Sequence, residues 1–513
     1  MGQYLSSSLS TSTSDTTSET TNGKQQSQQV RRGKDQRKHS KAEAKRRNAE
    51  WEHVVDQFTD QVLDSSFLAL PVRASTVQAA SQYTHHDSIA DTTSNYLLPG
   101  SHKHLGGAYD ATDGCIYGVP ANSKTILCLF PNTKDNGITT KYEMKTIPLP
   151  SSIADCNYKW LRGIFAHGYL WAIPSWADRV LCVDIDAYWG RRKPAGEIVQ
   201  LLPLPEEHVP GMQWQWHGAG MNQEQTAIYC IPSNAHQVLK VDLQTKTTSL
   251  IPIHVDKTKY PDFTLDSMNK WYGGILGADN CVYGIPYRSC AVLRIDCAAD
   301  SASLVGPNYG CSKYNWHGGI QVKGKIYAHP SHADTVLVID TRSEVSGTDD
   351  CCSELAIKRA DYDTDDRQNY KWLGGAVGVD GNIYCPACDT SSVLKIDTTT
   401  NICTTFGFAG KERNKWQGGL LGRDGCVYCI PASGRHVLRI STFQDENEEP
   451  AIQLLGDLPN HKDKWQGGSQ GKDGSLYFIP ENGYRVLKVT PPKDRPTIVN
   501  GQLPENDVII EMM

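Results

Sequence analysis

Residues 371–397 read K-W-L-G-G-A-V-G-V-D-G-N-I-Y-C-P-A-C-D-T-S-S-V-L-K-I-D, and residues 415–441 and 464–490 repeat that stretch with few changes. Alignment outward from it gives eight copies. An indole column holds Trp160, Trp216, Trp271, Trp316, Trp372, Trp416 and Trp465, with His104 in the first copy. Just before it stand Lys103, Lys159, Gln215, Lys270, Asn315, Lys371, Lys415 and Lys464. A pair of small residues follows, Gly-Gly in most copies, Arg162-Gly163 in the second and Gly218-Ala219 in the third. Next come an aromatic column (Tyr117, Trp171, Tyr229, Tyr283, Tyr327, Tyr384, Tyr428, Tyr477), a Pro three residues later in nearly every copy, and a β-branched-Leu pair such as Val393-Leu394.

The indole-to-indole period lies between 44 and 56 residues. Each copy carries strand-like segments: the Gly-Gly segment, the run around the aromatic such as Cys426–Pro431, the V-L-K-I-D type run, and a variable apolar stretch such as 197–204. Asp-Gly or Asp-Asn pairs (Asp113-Gly114, Asp279-Asn280, Asp380-Gly381, Asp424-Gly425, Asp473-Gly474) mark tight hairpins between the first two strands. Antiparallel four-stranded units at this period, without helical crossovers, predict an all-β, eight-bladed β-propeller, with seven blades as the alternative. Radial closure also removes long exposed sheet edges. The small residues belong on the innermost strands, where blades converge.

The D-G-x-I-Y-x-I-P and V-L-x-I-D core, as in residues 380–397, resembles the broad kelch, NHL and YVTN-like class of propeller repeats. The Gly-Gly-Tyr-Trp layout of kelch repeats and the Trp-Asp of WD repeats are missing. The resemblance spans residues from about 100 to 500 and implies architecture only.

The columns also carry the functional expectations. Strand direction puts Lys-Trp and the loops after each Pro on one face. Lys103, Lys159, Lys270, Lys371, Lys415 and Lys464, with Trp160, Trp216, Trp271, Trp316, Trp372, Trp416 and Trp465, are therefore the expected ligand face: a basic ring for an anion or acidic peptide. The competing role is packing for the indoles and covering methylenes for the lysines. His217, His317, His329 and His332 are the catalytic candidates if the propeller is a lyase or hydrolase. His217 and His317 occupy a column that elsewhere holds Leu, Tyr or Gln, which also suits a core or rim role. No nucleophile elbow, P-loop or H-E-x-x-H is present.

Sixteen Cys without an apolar leader point to a reducing compartment and free thiols. Cys385/Cys388 and Cys426/Cys429 have C-x-x-C spacing. Strand alternation turns Cys426 and Cys429 to opposite faces, so no metal is expected. Cys385/Cys388 alone is a redox candidate. No cofactor is expected.

The net charge of −6 is unevenly spread. Residues 31–47 hold nine basic residues (Arg31, Arg32, Lys34, Arg37, Lys38, Lys41, Lys45, Arg46, Arg47) against Asp35 and Glu43. The remaining chain is acidic, so nucleic acid is not an expected partner. Residues 6–29 are Ser-, Thr- and Gln-rich and read as disordered. Met1–Ser6, M-G-Q-Y-L-S, fits N-myristoylation at Gly2. One acyl chain binds weakly and needs a second signal, which the basic run supplies on an anionic membrane surface. Ser40 inside the run is an expected electrostatic-switch phosphosite. Arg31-Arg32 and Lys45-Arg46-Arg47 also suit a bipartite nuclear-import signal. Trp51, Val54, Val55, Phe58 and Val62 form an apolar helical stripe.

The expected organisation is a tail over 1–40, an amphipathic helix over 41–66, a linker over 67–100, a propeller over 101–505, and a tail or closing strand over 506–513. The expected function is a monomeric, non-enzymatic scaffold, cytoplasmic and tethered to a membrane, that binds a protein or anionic ligand on the Lys/Trp face. The alternatives are a propeller enzyme and a nuclear adaptor.

Overall fold

A computed structural model describes residues 97–513 apart from 134–138, 190–194, 312, 343, 361–368, 444–448 and 505–506. The described residues are almost all strand and turn; helix is confined to Ser151–Ala154, Ile185–Trp189, Ala195–Ile198 and a 3-10 turn at Asp349–Cys351. The stretch 197–204, expected wholly as strand, therefore begins in a helical turn, and the strand Val199–Pro203 starts with the apolar run.

Each repeat builds an antiparallel meander in chain order. In the seventh, Trp416–Leu421 pairs with Cys426–Pro431, then Val437–Ser441, then Ile452–Leu455. In the eighth, Trp465–Gln470, Leu476–Pro480 and Leu487–Thr490 are completed by the C-terminal strand Ile509–Met512. Five sheets have four strands. The fourth repeat gains Ile253–His254 as a parallel fifth strand. The fifth and sixth repeats join edge to edge through Ile357↔Cys403 and Lys358↔Thr404.

One backbone bond recurs at every junction. The N–H at the Lys position of a repeat donates to the carbonyl of the residue after the Pro position in the repeat before. Lys159 bonds Ala121, Gln215 bonds Ser175, Lys270 bonds Ser233, and Asn315 bonds Tyr287. Lys371 bonds Ser331, Lys415 bonds Cys388, and Lys464 bonds Ala432. The last of the set, Lys103 N–H to Glu481 O at 3.1 Å, joins the first repeat to the last. The innermost strands His104–Tyr109 and Trp465–Gln470 pack together at that seam. The sheets thus close into a ring, the architecture of a β-propeller.

The repeat motif is explained column by column. Every indole is buried and its Nε1–H donates to the carbonyl preceding the β-branched-Leu pair: Trp160 to Arg179, Trp216 to Gln237, Trp271 to Ala291, Trp316 to Thr335, Trp372 to Ser392, Trp416 to His436 and Trp465 to Arg485, all at 2.7–3.0 Å. Each Trp thereby satisfies its one donor while filling the core between sheets. The turn Asp works in both directions. In the seventh repeat Asp424 Oδ1 accepts from Cys426 N–H and Oδ2 from the Tyr428 hydroxyl. Asp380 with Tyr384 and Asp473 with Tyr477 do the same.

The Gly-Gly column has two separate causes. The first member lies at positive φ in a bulge, from +69° at Gly467 to +92° at Gly218. Arg162 holds this conformation at φ +65°. The second member is restricted by space: a Cβ on Gly107 would stand 2.9 Å from Tyr117 O, and one on Gly375 2.8 Å from Tyr384 O. Sequence reasoning supplied the spatial cause alone.

Candidate functional site on the ring axis

The lysine column is the expected ligand surface. All six side chains are buried. Lys464 Nζ donates to the carbonyls of Ala432, Gly434 and His461. Lys415 Nζ does the same to Cys388, Thr390 and Glu412. Lys103, Lys159 and Lys270 bond Gly100 O, Cys156 O and Ser267 O, each three residues upstream. Lys371 pairs with Asp334 at 2.6 Å. Gln215 of the third repeat bonds Ser175 O and Ala177 O through its amide. The six ammonium groups are therefore engaged within the protein and do not form the expected basic ring for an anion. In Lys415 and Lys464 the ammonium ties its own repeat to the strand end of its neighbour, because three donors match three inward-pointing carbonyls. Burial pushes Lys103, Lys159 and Lys464 down to about 8 and Lys270 to about 7.

The Trp residues of the same face are core residues. The residue after each indole brings chemistry together on the innermost strands. His217 stacks on Tyr272, with centroids 3.7 Å apart and planes 8° from parallel. Tyr272 stacks on Tyr287 at 4.1 Å. His317 meets His217, Tyr272 and Tyr287 edge-on, at 6.5, 5.1 and 5.2 Å. Three successive repeats thus supply one aromatic-imidazole cluster. All four residues are buried. Burial first, then the nearby His317 and Arg162, holds His217 well below the usual histidine range, so its ring is neutral.

His332 lies above this cluster and half buried, edge-on to Tyr314 and Tyr370 at 5.3 and 4.7 Å. Burial, with Lys371 nearby, lowers it to about 4. His329 departs from the expectation. It stands in the column held elsewhere by Val119, Ile173, Ile231, Ile285, Ile430 and Ile479, whose members pack against the next sheet. Ile231 faces Gly284 and Ile479 faces Gly118. Alternation along the strand sends it away from the axial cluster.

The residue after each Pro supplies Ser175, Ser233, Tyr287, Ser331 and Glu481 on the same face. The Ser175, Ser233 and Ser331 hydroxyls and His217 Nδ1 are buried without a hydrogen-bond partner among the described residues. Buried polar atoms are rarely left so, and these come from the second, third and fifth repeats. Glu481 sits at the seam, 2.7 Å from His102 Nδ1. Burial pushes its carboxyl up to about 7. Burial alone would lower His102, yet the Glu481 hydrogen bond and charge hold it above its usual value.

The rim comes from a column sequence reasoning overlooked, two residues before each indole. His102, Tyr158, Trp214, Asn269, Tyr370, Asn414 and Asp463 all take positive φ there. Tyr158, Trp176 and Trp214 pack together with centroids 4.7–5.8 Å apart. Tyr314 and Tyr370 flank His332, and Arg288 lies over Tyr314 at 5.2 Å. Tyr158, Trp176, Tyr314 and Tyr370 are half-exposed. The sequence signal for Tyr158, Tyr314 and Tyr370 was the recurrence of aromatic residues at that one offset; Trp176 comes instead from the loop after Pro174.

Cys385, Cys388, Cys426 and Cys429 are fully buried free thiols, and burial pushes all four upward. Cys388, read as part of a redox pair, instead lies in the core. Among the described residues no group of His, Cys, Asp or Glu has the arrangement of a metal site. No helix among them is long and apolar enough to cross a membrane. Gly2, the basic residues from Arg31 to Arg47, Ser40 and the 41–66 helix fall outside the described residues.

No family model and no curated protein matches the chain. Among solved structures it is similar to a streptogramin B lyase at 14% identity, covering 66% of this chain and 93% of that one with a TM-score of 0.42. It is similar to virginiamycin B lyase from Staphylococcus aureus at 12% identity, covering 75% and 94%, with a TM-score of 0.41. Apo AztD from Citrobacter koseri gives 11% identity, 69% and 87% coverage, and a TM-score of 0.43. The propeller assignment rests on the sheet order and the closed ring of junction bonds described above.

Proposed function

We propose that the protein is a non-enzymatic, eight-bladed propeller scaffold that binds a partner or ligand at the axial mouth. The observation that carries this reading is the half-exposed aromatic rim, Tyr158, Trp176, Tyr314 and Tyr370, set over a buried polar floor. Rigid aromatic side chains supply large contact area at low entropic cost, and hydroxyls and neutral imidazoles below them supply orientation. Eight junction bonds, one per repeat, support the blade count. The binding surface moves from the lysines to the rim, because the ammonium groups are already engaged.

The M-G-Q-Y-L-S start and the run Arg31–Arg47 support a tether to an anionic membrane surface from the cytoplasmic side. The nuclear alternative rests on the same basic run. The enzyme alternative draws on one observation, the meeting of His217 and His317. A general base works best near the ambient pH, and His217 sits far below it in a closed core.

Thermal-shift screening of peptides and small molecules against wild type and the Tyr314→Ala/Tyr370→Ala double variant tests the rim. Binders that stabilise only the wild type support it. Binders that stabilise both equally place the site elsewhere. For the tether, intact-mass analysis of the N-terminal peptide is paired with membrane fractionation of Gly2→Ala. An unmodified Gly2 with unchanged partitioning overturns it.

A further inference from the structure

The fifth repeat carries two adjacent thiols that neither the axial site nor the tether uses. Cys351 ends the 3-10 turn Asp349–Cys351, and Cys352 opens the outer strand Cys352–Lys358. Their Sγ atoms lie 3.5 Å apart. Cys351 is buried beneath the half-buried Cys352, and Asp349 and Asp350 just before the pair are exposed. The Cys352 S–H bond to Cys351 holds the Cys351 thiol below its usual range, while the same bond and burial push Cys352 up. The C-x-x-C cysteines, buried like Cys351, are by contrast all pushed up.

We propose that Cys351 and Cys352 form a redox-active dithiol that a hydroperoxide converts reversibly to a vicinal disulfide. The Cys351 thiolate attacks the outer peroxide oxygen, the O–O bond breaks, and the alcohol or water leaves with a proton. The resulting sulfenic acid is attacked by the Cys352 sulfur, the S–S bond forms, and the hydroxyl leaves as water with the Cys352 proton. Two thiols and one hydroperoxide thus give one disulfide, one alcohol or water from the peroxide, and one further water. Adjacent Cα atoms are about 3.8 Å apart. Unstrained disulfides place theirs at about 4.4–6.8 Å, so this one is strained and easily reduced, which suits a switch rather than a staple.

The surroundings give the switch something to move. Ser346 of the same loop donates to Asp279 Oδ2, which also accepts from Tyr283 and faces Arg294. Lys259 pairs with Asp349. Cys352 pairs with Ile339 in the ladder, and its sulfur fills the space beside Gly306. The loop therefore joins the fourth and fifth repeats at the outer edge, and closing the small ring pulls on that junction.

The tryptic peptide 343–358 contains only these two cysteines. The full-length protein is treated with hydrogen peroxide, unfolded, alkylated, digested and weighed. The expected result is that this peptide loses two hydrogens and both alkyl tags, and regains the tags after dithiothreitol. Cys352→Ser is expected to stop at a sulfenic acid on Cys351 that dimedone traps. A 343–358 peptide that stays fully tagged after peroxide overturns the proposal. Over-oxidation of Cys351 to sulfinic acid in the wild type, with no disulfide, also overturns it. The wild-type measurement stands whether or not the variant folds.

Discussion

Lys464 of the last repeat donates its Nζ to the carbonyls of Ala432 and Gly434 in the repeat before it, at 3.0 and 2.9 Å. A third bond returns to His461 in its own loop. Lys464→Met takes the donor from the Gly434 and His461 carbonyls, while Ala432 O keeps the Lys464 backbone N–H. Each buried unsatisfied group costs about 1–3 kcal/mol, so the urea midpoint should fall by the equivalent of several kcal/mol. Lys464→Gln should recover part of the loss, since Gln215 fills this place in the third repeat with two such bonds.

Gly467 combines φ +69° with a Cβ position 3.1 Å from Gly106 Cα across the seam. Gly501 has a similar φ of +72° with open space around it. The left-handed conformation alone costs a non-glycine residue about 1–2 kcal/mol. Gly501→Ala should therefore lose about that much, and Gly467→Ala clearly more, because the ring must also open. Equal midpoints in chemical denaturation would mean that the seam relaxes freely.

Arg439 and Asp424 are both fully buried and 2.8 Å apart, with Asp507 at 2.7 Å from the other side of the guanidinium. Arg439→Met leaves a buried carboxylate uncompensated and should destabilise by about 3–5 kcal/mol. Adding Asp424→Asn should restore a good part of this, since the buried charge goes with it. A double variant no better than the single would point to lost packing over the Tyr428 ring instead.

The seam pair His102–Glu481 predicts a pH dependence. Glu481 rises from 4.5 to about 7 on folding, and His102 rises above 6.5. Between these limits the native state holds protons that the unfolded chain has released, so stability falls as pH rises. The contribution is complete below about pH 4.5 and is lost through pH 7 and above. Asp463 and Lys103, also at the seam, lie close enough to modulate it. The melting temperature should drop from pH 5 to pH 8, and Glu481→Gln should flatten that slope. An unchanged slope would assign the pH dependence to other groups.

The repeat, its strands and the face shared by Lys-Trp and the post-Pro loops could be read from the chain alone, because each column answers a local demand. Trp372 must bury an indole, Gly374 must take a positive φ, and Asp380 must cap its turn and its own Tyr384. These demands recur through most copies, so recurrence exposes them. What the residues do toward one another across repeats was settled only by ring closure. A lysine reads as a solvent-seeking charge until Lys415 is seen to meet carbonyls 25 and 27 residues away in sequence. His217 and His317 are 100 residues apart, and only the curvature of the ring brings both onto Tyr272. Side-chain periodicity records which way a residue points from its own strand; the partner it finds there is set by how neighbouring sheets are turned, and no local pattern encodes that angle.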